Sequence, residues 1–300
     1  LATRDDPFLV AGEPGCGREE LARHVHDHSA RRHGPMVTVA CDFLPESRAE
    51  STLFGHEKGA FAGAASRKLG LLEEADSGTL LLKEIGDLAP PLQLKLLRAI
   101  QEGRFYRQVG SRPVYCDVRV AGASHRDLSR MIRDEEFRED LYAQLEPRRI
   151  DVAPLRERLE DLEPLIARIV ARINSELGVT LQGFEPGALN RLQNHRWRRN
   201  VRELEHVLRR VLLLSEGDEV AEEAVAEVLS TQVDPAGVDE TLELGQAIRR
   251  VESRVLVGAM RKAGGRKGRA AAILGLSREA LDRRLAEYGV DLARELAGAL

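Results

Sequence analysis

An apolar run leads directly into a glycine-rich stretch and then into a helical pattern near the start of this chain, and few folds accommodate that succession. Phe8–Ala11 predicts a buried strand and Arg18–Ser29 predicts a helix. The residues joining them read Gly12-Glu13-Pro14-Gly15-Cys16-Gly17-Arg18-Glu19. Glycines let backbone N–H groups approach a phosphate, and the N-terminus of the next helix adds partial positive charge. The segment therefore predicts a phosphate loop, although a glycine-rich turn before a helix explains these residues equally well.

The predicted phosphate loop departs from the usual pattern G-x-x-x-x-G-K-[ST]. Gly12 and Gly17 fit it, but Arg18 replaces the lysine and Glu19 replaces the hydroxyl residue. The guanidinium of arginine is planar and bulkier than an ammonium, so the exchange is not conservative beside a phosphate. Glu19 offers no hydroxyl to Mg²⁺ at this position.

A second strand ends in a charged pair. Thr79–Leu82 predicts a buried strand, and Lys83 and Glu84 follow it. In a phosphate-loop ATPase this strand ends in Asp-Glu, of which the Asp holds Mg²⁺ and the Glu polarises water. Taken alone, these residues favour a buried strand with a polar tip over a metal-binding motif.

Alternating strand and helix patterns predict an α/β domain in the first half of the chain. Further strands are predicted at Met36–Ala40 and Val118–Ala123, and further helices at Leu92–Glu102 and Asp127–Ile132. From Asp161 to about Leu229 we expect no strands and three helices, which are Leu162–Leu177, Pro186–Asn194 and Val201–Leu214. The predicted domains are an α/β domain (1–155), a helical lid (156–230), a linker (231–240) and a DNA-binding domain (241–300).

Glu50–Ala64, with the sequence ESTLFGHEKGAFAGA, resembles the signature of the sigma-54-dependent activators, an AAA+ ATPase family whose surface loop reads GAFTGA. GTLLLKEIGDL resembles the family's GTLFLDEIGDL. The segments LQLKLLRAIQEGRFYRQVGSRP, DVRVAGASHRDL, FREDLYAQL, PLRERLEDL and NVRELEHVL resemble later family blocks in the same order. The resemblance runs from about Phe8 to Leu214 and resumes in the tail.

This resemblance implies a parallel-sheet nucleotide-binding domain, a helical lid and assembly into a ring. It also implies that ATP lies between neighbouring subunits and that hydrolysis moves a loop against sigma-54. In this chain the loop residues are Gly59, Ala60, Phe61, Ala62, Gly63 and Ala64. The nucleotide-binding residues that it implies are Gly12, Glu13, Gly15, Cys16, Gly17, Arg18, Glu19, Lys83, His125 and Arg202.

The residues that differ from the family pattern are those that the family uses for nucleotide binding, hydrolysis and contact with sigma-54. Besides Arg18 and Lys83, the family's Thr-Asn pair is Ser124-His125, the second arginine of FRxDLxxRL is Gln144, and the loop threonine is Ala62. Glu84 and Arg138 survive as catalytic residues, either of which could be vestigial, and the lid arginine survives as Arg202. We expect weakened ATP or ADP binding, Mg²⁺ without its usual ligands, and negligible hydrolysis.

Lys83 puts an ammonium about where the metal would lie. One interpretation is that it replaces Mg²⁺ as a counter-charge and allows metal-free nucleotide binding. The other, which we favour, is that a buried Lys83 pairs with Glu84 or Glu19 and fills an empty site, because a buried ammonium needs a carboxylate partner.

The tail from Gly264 to Leu285 predicts a helix, a tight turn at Gly275 and a second helix with Ser277 as its N-cap. It resembles the Fis-type tail of the same family. Eight basic and two acidic residues lie between Arg261 and Arg284, which suits contacts to DNA phosphates. The predicted DNA-binding residues are Arg266, Lys267, Ser277, Arg278, Arg283 and Arg284, and a preceding helix at Leu242–Met260 is expected to pair two tails.

The remaining features of the sequence are those of a globular chain in a reducing cytoplasm. Cys16, Cys41 and Cys116 lack metal-site spacing, and no metal ligand set is predicted. His24 and His28 share a helix face. We interpret these two histidines and His26 as a solvated, histidine-rich face. No apolar run approaches the roughly 18 residues that a membrane helix needs. Because the chain opens at Leu1, we expect a missing N-terminal sensor domain.

Two hypotheses follow. The first is a DNA-binding regulator of the sigma-54 activator family whose AAA+ core serves assembly or ligand sensing without turnover. The alternative is an active ATPase that remodels the closed complex of sigma-54 RNA polymerase. The expected partners are DNA, RNA polymerase with sigma-54, and copies of the chain in a dimer or hexamer-type ring, or a mixed ring with an intact homologue.

Overall fold

A computed structural model describes residues 4–177, 181, 183–215, 219–231, 256, 260, 263, 266–274, 276 and 278–287. The chain divides into two units, residues 1–229 and residues 230–300.

The first unit is built on a parallel sheet of five strands. Its first seven strands are β1 (Phe8–Gly12), β2 (Met36–Ala40), β3 (Thr79–Lys83), β4 (Arg104–Tyr106), β5 (Pro113–Tyr115), β6 (Arg119–Ser124) and β7 (Arg149–Val152). The order in the sheet is β2-β3-β6-β1-β7, and β4 and β5 form a separate antiparallel hairpin. Every pair in the large sheet is parallel, so the carboxyl ends of β1, β3 and β6 meet at one edge.

Helices cover both faces of this sheet. They are α1 (Arg18–Asp27), α2 (Glu46–Phe54), α3 (Leu71–Glu74), α4 (Pro90–Glu102), α5 (Leu128–Arg133) and α6 (Glu139–Leu145). One face buries Leu80 and Leu82 among side chains of α4, α5 and α6, and the other buries Phe8 and Leu81 beside α1. Burial on both faces explains why these strands are almost continuously apolar.

In the first unit the strands and helices predicted from the sequence are present, with shifted ends. β1 extends to Gly12, β3 extends to Lys83, and β6 starts at Arg119 rather than Val118. The edge strand β7 was not predicted. Its residues, Arg149–Val152, alternate between exposed and partly buried, so they lack the apolar run of a central strand.

The lid part of the first unit contains α7 (Leu162–Leu177), α8 (Pro186–Gln193), α9 (Asn200–Leu214) and α10 (Glu222–Thr231). These helices pack around Trp197, which is fully buried and donates from Nε1 to the Leu192 carbonyl at 2.9 Å. The expectation that no strand occurs here was wrong, because β8 (Gly183–Phe184) pairs in parallel with β9 (Glu219–Val220). Strands of two residues are too short to produce a periodic sequence pattern.

The second unit contains α11 (Lys267–Leu274) and α12 (Arg278–Glu287). Ala270 and Ala271 of α11 are buried against Leu281 and Leu285 of α12. Small side chains thus let the two helices approach, as predicted for a helix-turn-helix. The predicted turn residue Gly275, the linker at 231–240 (except Thr231, the end of α10) and most of the predicted pairing helix at 242–260 lie outside the described residues.

None of the described helices is both long enough and apolar enough to cross a membrane. All three cysteines are free thiols. Burial raises the pKa of Cys41 to about 12 and that of Cys116 to about 11, so both thiols stay protonated near neutral pH. The prediction of a solvated histidine face was wrong for His26, which is buried with Nδ1 at 2.9 Å from Thr79 Oγ1.

Candidate functional site

The glycine-rich loop between β1 and α1 has the backbone geometry of an anion cradle. Gly12, Gly15 and Gly17 have φ values of 155°, 77° and 101°. A Cβ at Gly12 would come within 2.8 Å of the Val152 carbonyl oxygen, and one at Gly15 would collide with the backbone of Arg199. Both positions therefore require glycine. The loop leads into the N-terminus of α1, whose free N–H groups favour an anion.

Glu84 follows β3 and faces the same edge of the sheet. Its two carboxylate oxygens lie 2.5 Å and 3.3 Å from the guanidinium of Arg18. His125, which follows β6, donates its backbone N–H to the same carboxylate at 3.1 Å and places Nδ1 at 2.7 Å from it. The backbone of Glu84 is left-handed, with φ at 51°, which is strained for a residue with a side chain.

Burial acts to raise the pKa of Glu84, but the hydrogen bonds from Arg18 and His125 outweigh it. The pKa of this carboxyl is therefore held below its ordinary value. Glu84 is ionised near neutral pH, with both oxygens engaged by groups of its own chain.

Lys83 forms a second ion pair at this edge. Its Nζ lies 3.0 Å from Glu19 Oε2, which confirms the predicted pairing with a carboxylate and identifies Glu19 as the partner. The prediction of a buried ammonium was wrong, since 36% of the Lys83 side chain is exposed. This ion pair joins the end of β3 to the first turn of α1.

Arg18–Glu84 and Lys83–Glu19 together connect α1 to the end of β3, and we call them the crossed ion pairs. Their four formal charges cancel, and each carboxylate has its cation within its own chain. Mg²⁺ needs several oxygen ligands in octahedral geometry at about 2.0–2.1 Å. No group of three His, Cys, Asp or Glu side chains in the described part of the chain could hold a metal ion. At this edge Lys83 presents an ammonium, which cannot coordinate a metal, and the carboxylates of Glu19 and Glu84 are held in ion pairs, so the residues in this arrangement do not fit Mg²⁺.

A cleft of about 820 Å³ opens beside the crossed ion pairs, between the glycine-rich loop and the lid. Leu165, Ile169 and Val201 give it an apolar wall, and several lid arginines reach it, including Arg158 and Arg168. An apolar wall next to a glycine-rich anion cradle suits a ligand with a flat ring at one end and phosphates at the other.

The glycine-rich loop is tied directly to the lid. Arg156 donates two hydrogen bonds, at 2.6 Å and 2.7 Å, to the carboxylate of Glu13. Asn200, fully buried, donates to Glu13 and to the Pro14 carbonyl, both at 3.1 Å, and Arg158 donates to the Cys16 carbonyl at 2.6 Å. A ligand that moves this loop therefore also pulls on the lid.

The cleft brings together most of the predicted nucleotide-binding residues. Those on its wall are Gly15, Cys16, Gly17, Arg18, Glu19, Lys83 and Arg202, with the predicted catalytic Glu84. Gly12, Glu13 and His125 are not on its wall; Glu13 is hydrogen-bonded to Arg156 of the lid, and His125 is hydrogen-bonded to Glu84. The arginines at 158, 168 and 172 also line the cleft and were missed. The only feature of the sequence that could have indicated them is that they are basic residues of the predicted lid.

Arg138 lies apart from the cleft of its own chain. It precedes α6 and forms an ion pair with Asp140 at 2.7 Å, with more than a third of each side chain exposed. Gln144 lies on α6 and is partly buried. A role for Arg138 in a neighbouring subunit is compatible with this exposed position and stays a prediction.

The loop Gly59–Ala64 forms a tight, protruding turn. Gly59 N donates to Ala64 O at 2.9 Å, and Gly59 and Gly63 have φ values of 85° and 103°. The ring of Phe61 contacts the His56 ring edge-on, with 4.9 Å between centroids, and Phe61 is 42% exposed. Ala60 and Ala62 complete a loop whose side chains are small except for one exposed aromatic ring.

The helix pair of the second unit presents basic side chains. The exposed ones among the predicted DNA contacts are Arg266, Arg278 and Arg283. Lys267 is only partly exposed, because its Nζ lies 2.7 Å from Asp282 Oδ1 and joins α11 to α12. Ser277 and the side chain of Arg284 lie outside the described residues.

Comparison with protein families gives three consecutive matches. Residues 1–151 match the sigma-54 interaction domain, residues 156–241 match an AAA+ ATPase lid domain, and residues 247–288 match the Fis family of bacterial regulatory proteins.

Among curated proteins, the chain is similar to the regulatory protein AtoC of Escherichia coli, with 39% identity covering 98% of this chain and 65% of AtoC. It is 40% identical to the nitrogen fixation protein AnfA of Azotobacter vinelandii, covering 97% of this chain and 54% of AnfA. The chain thus spans between half and two thirds of the length of these two relatives. Among solved structures, NtrX from Brucella abortus in complex with ADP superimposes with a TM-score of 0.70 and 32% identity, covering 97% of this chain and 66% of NtrX.

Proposed function

The chain belongs to the family of sigma-54-dependent transcription activators, and we propose that it is a DNA-binding regulator whose AAA+ core has lost ATP turnover. In this proposal the core binds ATP or ADP weakly and serves assembly or ligand sensing. The single observation that carries it is the crossed ion pairs.

The crossed ion pairs take up the groups that hydrolysis would use. Glu84 is the carboxylate that would orient water, yet both its oxygens are engaged by Arg18 and His125. Arg18 is the cation that would contact the phosphates, yet its guanidinium is held by Glu84. A nucleotide must therefore break a largely buried ion pair before either residue can act on it.

Stabilisation of the transition state is also reduced. Lys83 stands where the family has the Asp that holds Mg²⁺, and an ammonium cannot coordinate a metal. Gln144 replaces an arginine that would act on the ATP of a neighbouring subunit. Loss of such an arginine can cost roughly 10³–10⁵ in rate. Arg138 would remain as the only member of that pair.

Nucleotide binding is proposed on the cleft geometry together with the likeness to NtrX, which has been crystallised with ADP and with ATP. Backbone N–H groups of Gly15, Cys16 and Gly17 would receive the phosphates. Arg158 and Arg202 would add charge from the lid side. The apolar wall on α7 would receive the base.

The loop and the tail supply the regulatory contacts in this proposal. Gly59–Ala64 would approach sigma-54, and Ala62 would weaken that contact because it lacks the hydroxyl of the family's threonine. Arg266, Lys267, Ser277, Arg278, Arg283 and Arg284 would contact DNA. Assembly as a dimer or hexamer-type ring, or in a mixed ring with an intact homologue, is part of the proposal.

Steady-state phosphate release from ATP tests the proposal. We expect no turnover above background for the unmodified chain, and recovery in the triple variant Arg18→Lys, Lys83→Asp and Gln144→Arg. A matched control, Arg98→Lys, Lys58→Asp and Gln101→Arg, makes the same exchanges on exposed side chains outside the cleft. This control should stay inactive.

Turnover by the unmodified chain at the rates usual for an active homologue assayed beside it would overturn the proposal. It would support the alternative, an ATPase that remodels the sigma-54 RNA polymerase closed complex.

A further inference from the structure

The ammonium of Lys83 is available to a ligand in the cleft. Its side chain is 36% exposed and lies on the cleft wall. An ammonium has three N–H donors, and among the described residues only Glu19 engages one of them. Two donors can therefore reach anionic oxygens while the ion pair to Glu19 remains intact.

The charge of the cleft is arranged differently from that of a metal site. The crossed ion pairs cancel, and Arg172 is paired with Glu205 at 2.6 Å. Arg168 and Arg202 line the cleft with no ion pair to any described residue. Glu20 and Asp42 also line the cleft without an ion pair to a described residue, so six cationic and five acidic side chains give it a net formal charge of only +1.

A divalent cation at the same place would meet the Lys83 ammonium. Like charges a few ångströms apart repel strongly in a partly desolvated cleft. For Glu19 or Glu84 to bind the cation, the ion pair of Glu19 with Lys83 or that of Glu84 with Arg18 would have to break, which costs free energy.

We propose that the cleft takes a nucleoside diphosphate or triphosphate without Mg²⁺, with Lys83 as the counter-charge to the phosphates, so that the metal-free nucleotide binds more tightly than its Mg²⁺ complex. The inference rests on the nucleotide site of the proposed function. It goes beyond that function by reversing the usual effect of the metal on affinity.

Calorimetric titration of the full chain with ADP and with ATP, once with EDTA and once with excess MgCl₂, tests the inference. We expect affinity to be at least about tenfold higher in EDTA, which corresponds to about 1.4 kcal/mol. The change should be seen with both nucleotides, since Lys83 lies beside the glycine-rich loop that both would occupy.

A double variant, Glu19→Thr with Lys83→Asp, supplies a hydroxyl and a carboxylate in place of the ion pair. It should bind more tightly with Mg²⁺ than with EDTA. The control Lys58→Asp changes the net charge as Lys83→Asp does, but on an exposed side chain away from the cleft, and should keep the preference for EDTA. Thermal melting shows whether each variant is folded, and the unmodified chain tests the inference without any variant.

The outcomes separate the two proposals. Equal or tighter binding of the Mg²⁺ complex to the unmodified chain would overturn this inference and leave the nucleotide site in place. No binding under either condition would overturn the nucleotide site of the proposed function, and this inference with it.

Discussion

The ion pair between Arg18 and Glu84 should make a measurable contribution to the stability of the ligand-free chain. Only 10% of the Arg18 side chain and 19% of the Glu84 side chain are exposed. Removing one partner of a fully buried pair costs about 3–5 kcal/mol, whereas an exposed pair contributes about 0–1 kcal/mol. Glu84 would keep two contacts from His125 after Arg18→Ala. We therefore expect Arg18→Ala to lower the free energy of unfolding by about 2 kcal/mol.

A double-mutant cycle isolates this contribution. The cycle uses Arg18→Ala, Glu84→Ala and both together, and we expect a coupling energy of about 1–2 kcal/mol. Lys83→Ala with Glu19→Ala forms the matched control cycle. More than a third of each of those side chains is exposed, so solvent screening should reduce their coupling to about 0.5 kcal/mol or less.

Urea unfolding without nucleotide, followed by tryptophan fluorescence, is the assay. Trp197 is the only tryptophan, is fully buried and belongs to the same unit as both ion pairs. Its emission therefore reports unfolding of the unit that contains the site. Equal coupling in the two cycles would refute the reasoning, because burial would then have no influence on these pairs.

Three further predictions concern the loop, the tail and pH. Gly15→Ala should lower the free energy of unfolding in urea by at least about 2 kcal/mol, because it adds a backbone collision to an unfavourable φ. Gly63→Ala has open space around the added Cβ and should lower it by only about 1 kcal/mol. Arg283→Ala should weaken binding to a specific DNA site by roughly 1–3 kcal/mol if it contacts a base, whereas Arg266→Ala should weaken all sequences alike in titrations of labelled DNA. Burial acts to raise the pKa of Glu203, but hydrogen bonds from His195 and a backbone N–H hold it below its ordinary value. The stability that ionised Glu203 contributes is therefore complete above that ordinary pKa and is lost as pH falls through the lowered pKa. The urea midpoint of Glu203→Gln should therefore fall less steeply on acidification than that of the unmodified chain.

Local pattern was sufficient for the α/β architecture. The apolar runs at Phe8–Ala11 and Thr79–Leu82 predicted central strands because both faces of those strands are covered by helices. β7 and the two-residue strands β8 and β9 were missed for the opposite reason. Their residues are at an edge or too few, so burial leaves no periodic pattern in them.

The residue exchanges at the candidate site could also be identified from the sequence, since Arg18, Glu19, Lys83 and Glu84 occupy positions of recognisable motifs. Their partners could not. The sequence left two carboxylates, Glu84 and Glu19, as possible partners of Lys83, and only the meeting of α1 with the end of β3 selects Glu19. That choice depends on which side chains two distant segments bring within 3.0 Å, and spacing along the chain does not encode it.

The sequence by itself therefore determined the family, the order of the elements and the types of residue at the cleft, because these follow from local periodicity and motif spacing. Tertiary structure decided how the charges pair and which lid arginines face the cleft. It also decided that the Glu13 carboxylate accepts hydrogen bonds from Arg156 and Asn200. Ion pairing depends on distance, burial and competing partners in three dimensions, and each of these is fixed only when the sheet and the lid have packed together.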